Sequence, residues 1–105
     1  MKTNKTTLYI GLNDKDSRVQ LIDTVEAVKI VTSLLRGVNI DGATVYNATG
    51  IYTHNDGSIV IENTLRVELF EASEADVLKG VELIKVALNQ ESIIVSNEIV
   101  ESKFI

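Results

Sequence analysis

The segment Gly42–Phe70, GATVYNATGIYTHNDGSIVIENTLRVELF, decides the fold, because it sets two alternating apolar and polar runs on either side of Asp56-Gly57. Asp-Gly is a favoured centre for a two-residue type I′ hairpin turn, whose twist matches that of the strands it joins. Such a turn sets the register. It pairs His54 with Ile59, Tyr52 with Ile61, Gly50 with Asn63, Ala48 with Leu65 and Tyr46 with Val67, and this mostly apolar set is expected to face a core. The other face then carries Val45, Asn47, Thr49, Ile51 and Thr53 opposite Glu68, Arg66, Thr64, Glu62 and Val60. A slip of one residue would turn one strand's apolar set away from its partner's, so the alternation itself supports this register. Each strand is about twelve residues, against a usual five or six.

Upstream, Thr7-Leu8-Tyr9-Ile10-Gly11-Leu12 is a β-branched and aromatic run that stops at the turn formers Asn13 to Ser17, which predicts a first strand and a loop. Asp23 followed by Glu26 predicts a capped helix over 24–36, with Ala27, Val28, Val31, Leu34 and Leu35 on one stripe and Gly37 as its left-handed terminator. Downstream, Ser73 and Asp76 repeat the capping logic. Val77, Leu78, Val81, Ile84 and Leu88 then mark a second helix to about Asn89, and Ser92-Ile93-Ile94-Val95 a fourth strand. Residues 1–6 are expected to be irregular, and 97–105 a tail or strand extension.

The order strand, helix, strand, strand, helix, strand predicts an α+β, ferredoxin-like βαββαβ domain over 1–105. Its four-stranded antiparallel sheet carries two helices on one face and a long β2-β3 hairpin. The open face would hold Val45, Ile51, Val60 and Phe70, more large apolar side chains than a solvated face needs. With the long hairpin and the apolar end Phe104-Ile105, this predicts a homo-oligomer.

The chain has 105 residues, 45% hydrophobic and 24% charged, which excludes intrinsic disorder and fibrous repeats and allows a single core. The absence of cysteine removes disulfides, thiolate nucleophiles and sulfur-ligated metals. No apolar run approaches the roughly 18 residues of a membrane span, and no signal-peptide pattern is present, so a cytoplasmic protein without membrane contact is expected. The net charge of −5 disfavours nucleic acid, and it is uneven: residues 1–53 balance at +1 while 54–105 carry −6. Much of that acidity sits at the start of the second helix, where the dipole favours it.

Few residues point to chemistry. His54 is the only histidine, and without positioned partners it reads as a strand-end residue rather than a general base. Asn13, Asp14 and Asp16 offer oxygen ligands at short spacing, yet Lys15 and Arg18 interrupt them and the central glycine of a calcium loop is missing, so no metal or other cofactor is assigned. Glu62, Arg66 and Glu68 lie on the open face, with Asn47 opposite Arg66 in the register above; they read as a charge ladder, or as an arginine ready to hold a small anionic ligand. Tyr9 could stack a base, but the acidic third strand argues against RNA. No G-x-S-x-G, Walker or H-E-x-x-H motif occurs. Candidate binding residues are therefore Tyr9, Asn13, Asp14, Asp16, Asn47, His54, Glu62 and Arg66, with no catalytic set.

From Thr7 onward the chain resembles small uncharacterised proteins of low-GC Gram-positive bacteria and their prophages. The similarity is carried by Leu8-Tyr9-Ile10-Gly11-Leu12-Asn13-Asp14-Lys15-Asp16, Asp41-Gly42-Ala43-Thr44, Gly50-Ile51-Tyr52, Asp56-Gly57, Glu62-Asn63-Thr64-Leu65-Arg66-Val67-Glu68 and Asn89-Gln90-Glu91-Ser92. The glycine-led second strand and glutamate-bearing third strand are also similar to a bacterial family known only as a domain of unknown function. The resemblance implies a phage origin and no particular catalytic residue. The expected function is a non-enzymatic oligomeric binding module, a counter-defence protein that binds a host protein or sequesters a small signalling ligand. The alternative is a small dimeric α+β-barrel enzyme with a pocket between sheets, worked by His54, Arg66 and Glu62.

Overall fold

In the computed structural model, which covers residues 1–105, the elements run β1 (Lys2–Gly11), α1 (Thr24–Gly37), β2 (Thr44–Thr53), β3 (Ile59–Phe70), α2 (Glu74–Ala87) and β4 (Ile94–Glu101). The strands lie in the order β2-β3-β1-β4 in one antiparallel sheet, the ferredoxin-like arrangement that the element order implies. Both helices cover the same side. Ala27, Val31 and Leu35 recur at steps of four along α1, and Val77, Val81 and Ile84 at steps of four and three along α2, so each helix lays one stripe on Leu8, Ile10, Leu65, Val67 and Leu69 of the two central strands. Fully burying each of these valine, leucine and isoleucine side chains is worth about 1.5–3 kcal/mol. No helix is long and apolar enough to cross a membrane.

The hairpin departs from the expected turn. Gly57 N–H donates to the His54 carbonyl at 2.9 Å, His54 N–H donates to the Ser58 carbonyl at 2.9 Å, and Gly57 sits at φ +87°. This is the three-residue loop in which a type I turn is followed by a left-handed glycine, rather than a two-residue type I′ turn. The Asp56 carboxylate reinforces it by accepting from Ser58 N–H and Oγ–H. One more loop residue moves every pair by one: Tyr46 now faces Arg66, Ala48 faces Thr64, Gly50 faces Glu62 and Tyr52 faces Val60. The third strand keeps its expected faces, because Leu65, Val67 and Leu69 are anchored in the core. The second strand turns over. Val45, Asn47 and Ile51 therefore lie on the helix side, not on the open face, and Asn47 is opposite Leu65 rather than Arg66. An alanine at position 57 must adopt the left-handed conformation. Gly57→Ala is expected to lower stability by about 1 kcal/mol in denaturant titration.

Smaller departures have local causes. Gly37 is the last helical residue of α1, and the left-handed terminators are Asn39 (φ 68°) and Asn89 (φ 49°). There the N–H groups of Ile40 and Gln90 reach back to the Leu35 and Lys85 carbonyls, both at 2.9 Å. Asp23 precedes α1 without a side-chain cap bond, whereas Ser73 Oγ accepts from Asp76 N–H at 3.1 Å. The chain start is not irregular: β1 begins at Lys2, and its first residues pair with the far end of β4, from Lys2 opposite Glu101 to Thr6 opposite Asn97. The fourth strand begins at Ile94 rather than Ser92.

Pairing of β1 with β3 stops at Gly11 opposite Thr64, so the hairpin continues alone beyond the body and stretches the molecule to 46 × 26 × 23 Å. On the helix side of this arm no helix remains. Ile51, Ile59 and Ile61 are left 69%, 72% and 66% exposed.

Candidate functional site

The corrected register builds rows across the open sheet face. Tyr46, Arg66, Tyr9 and Ile94 form one row through all four strands. The next row toward the arm is small, with Ala48, Thr64 and Gly11, and beyond it Gly50 stands beside Glu62 and Tyr52 beside Val60. A step of small side chains thus runs between an aromatic–arginine row and a glutamate. Gly11 leaves room for the Glu62 carboxylate, which lies over it and accepts from Asn13 N–H at 2.9 Å; a Cβ there would push the carboxylate aside.

The electrostatic centre is Glu68, only 8% exposed. Its Oε1 accepts from the Tyr46 hydroxyl at 2.9 Å, and its Oε2 meets Arg66 Nη2 at 2.9 Å and Lys5 Nζ at 3.2 Å. Lys5 also reaches Glu98 at 3.5 Å, and the Arg66 guanidinium lies 5.3 Å from the centre of the Tyr46 ring. Arg66 Nε is buried and has no hydrogen-bond partner. The Tyr46 hydroxyl, then the Lys5 ammonium and Arg66 charge, hold the Glu68 carboxyl below its ordinary 4.5 despite burial, which opposes them. The same bond raises the Tyr46 phenol, and the bond to Glu68 raises the Lys5 ammonium above 10.5.

These shifts give opposite limbs of a pH profile. A carboxyl with a depressed folded-state value contributes stability that is present above its unfolded value and lost as pH falls through the folded one; a raised amine contributes stability present below its unfolded value and lost as pH rises through the folded one. Asp14 acts in the same sense as Glu68, held down first by Ser17 N–H and then by Asn89. The melting temperature is expected to be flat between about pH 5 and 7 and to fall below about pH 4.5, and Glu68→Gln should flatten that fall in a pH series of thermal melts.

Of the residues expected from sequence, Tyr9, Glu62 and Arg66 come together on this face. Asn13 sits just past the end of β1, bonded to Glu62 and bridged to Gln20. His54 is at the arm tip, edge-on to Tyr52 at 5.3 Å. The Asp14 carboxylate accepts from Asp16 N–H, Ser17 N–H and Asn89 Nδ2, and Asp16 shares the same Asn89 amide, so these oxygens tie the loop to the end of α2. Beside them is a pocket of about 160 Å³, mostly apolar and lined by Leu12, Leu21, Ile22 and Leu88. No three His, Cys, Asp or Glu side chains are grouped to hold a metal. Lys5, Tyr46 and Tyr52 are the site residues that sequence reading missed. The signal for the two tyrosines was Asn55-Asp56-Gly57 read as a three-residue loop with its glycine last.

No family model matches the chain, and no curated protein sequence does. Solved structures share its fold. A phage SAM lyase in complex with S-methyl-5′-thioadenosine superposes with a TM-score of 0.67 at 20% identity, over 98% of this chain and 92% of that one. GlnK of B. subtilis, in its ATP complex, gives 0.56 at 14% identity over 92% and 82%. The divalent ion tolerance protein CutA1 of Ehrlichia chaffeensis gives 0.57 at 16% over 95% and 84%. At these identities the likeness is one of fold.

Proposed function

We propose that the chain is an oligomeric small-ligand-binding module whose open sheet face takes an adenosine-bearing ligand. The observation that carries this reading is the row Tyr46, Arg66, Tyr9 beside the step Ala48, Thr64, Gly11, with the part-exposed Arg66 side chain at its centre. A flat base can stack against a tyrosine over the small side chains, while Thr64 and Glu62 offer oxygens to ribose hydroxyls. The Arg66 side chain is 38% exposed, so its guanidinium can present an N–H to a ligand acceptor. Two of the proteins sharing the fold hold adenosine compounds, S-methyl-5′-thioadenosine and ATP, which supports the ligand class.

Sequestration rather than turnover is favoured by the face itself. Glu68, Lys5 and Tyr46 are engaged with one another, so none stands free as a base. A phage-borne protein that removes a host nucleoside signal is the biological form of this reading. A lyase acting on SAM is the second reading, favoured by the superposition on a phage enzyme of that activity over nearly the whole chain. Calorimetric titration with S-methyl-5′-thioadenosine, ATP and SAM tests the first: binding by the wild type, weakened tenfold or more in Arg66→Ala with the fold intact, is expected. No binding of any of the three would sink it. Disappearance of SAM on incubation with the chain would replace it with the second.

A further inference from the structure

The geometry points to a head-to-tail contact in which the isoleucine side of one copy's hairpin arm docks on the open sheet face of a second copy, roofing the Tyr46, Arg66, Tyr9 row. The arm continues the core face of β2 and β3 past the end of the helix layer, so Ile51, Ile59 and Ile61 are core-type residues with nothing over them. From Gly50 to Ile61 the arm carries one charged side chain, Asp56 at its tip, so laying it on another surface desolvates almost no charge. The open face offers a matching surface. Ile94 is 66% exposed and aligned with Tyr9, Phe70 is half exposed, and the charges between them are already paired within the chain.

Area decides between this contact and an arm-on-arm dimer. Three such isoleucines fall within the roughly 300–600 Å² of the largest apolar patches on monomers, short of the roughly 800 Å² each partner gives to a stable interface. Two arms packed on each other bury that one patch per copy. In the head-to-tail contact each copy gives its arm to a neighbour and receives another arm on its open face, so both patches are covered. Two copies that exchange arms about a twofold axis, or a closed ring of more copies, cover every arm and every face. The contact stands on exposure and register alone; only the roofing of a ligand rests on the binding reading above.

Light scattering on the full chain without ligand tests it, using Ile61→Lys on the arm and Ile94→Lys on the face. Both side chains are exposed in a single copy, so circular dichroism and melting of the dissociated chains should be unchanged. The wild type is expected to have the mass of two or more copies at about 100 micromolar and each variant that of one, at least a twofold drop. A monomeric wild type, or either variant keeping the wild-type mass, would overturn the contact. Ile61→Lys monomeric with Ile94→Lys unaffected would mean arm-on-arm pairing and overturn it equally. Failure of ligand binding would leave all these masses unchanged, so the two readings fail separately.

Discussion

Leu65→Ala is expected to lower the stability of the chain by about 2–5 kcal/mol, whereas Ile61→Ala, four residues earlier on the same face of β3, should change it by no more than about 0.5 kcal/mol. Leu65 is fully buried, paired with Ile10 on one side and covered by the helices, so truncation removes apolar burial and leaves a cavity that the packed layers cannot fill. Ile61 has the same chemistry and the same side of the sheet, but it lies past the end of β1 and is two-thirds exposed. Denaturant titration below the concentration of self-association reads both. Equal losses would mean that the arm is packed against the body and not free.

Glu68→Ala is the second large effect, with an expected loss of about 1–3 kcal/mol in the same measurement. The carboxylate is the common partner of Tyr46, Arg66 and Lys5, so its removal strands a phenol and sets two cations side by side on a shielded strand pair. Glu68→Gln should lose less, since the amide oxygen can still accept from the Tyr46 hydroxyl. An isolated surface ion pair is worth 1 kcal/mol or less. A loss below about 0.5 kcal/mol for Glu68→Ala would therefore reduce the cluster to ordinary surface pairing.

The element order, and with it the fold, could be read from the sequence because the signals were redundant. Helix stripes at Ala27, Val31, Leu35 and at Val77, Val81, Ile84, the Ser73 cap and the alternation of β3 each point to one architecture. The register of the hairpin could not be read as securely. Asp-Gly suits a two-residue turn, but here Asn55 joins the loop, Gly57 takes its left-handed last position, and β2 turns over. In β2 the choice is finely balanced, since one face has Val45 and Ile51 and the other Tyr46 and Tyr52. Half of the site therefore escaped detection: Tyr9, Glu62 and Arg66 lie on elements whose facing was fixed by the core, while Tyr46 and Tyr52 depended on the turn. Lys5 was hidden for another reason, because the polar stretch Lys2 to Thr6 becomes strand only by pairing with β4, far away in sequence. The loop Asn13–Asp16 looked like oxygen ligands in one dimension, and in three its oxygens are taken up by local amides and Asn89.

The most direct test is to titrate S-methyl-5′-thioadenosine into Tyr46→Ala and Asn47→Ala side by side with the wild type. These neighbours occupy opposite sides of β2, and only the register decides which one shares a face with Arg66. Wild-type binding, weakened tenfold or more by Tyr46→Ala and unchanged by Asn47→Ala, is the predicted result. Wild type that does not bind, or Asn47→Ala as damaging as Tyr46→Ala, would contradict the open sheet face as the ligand site.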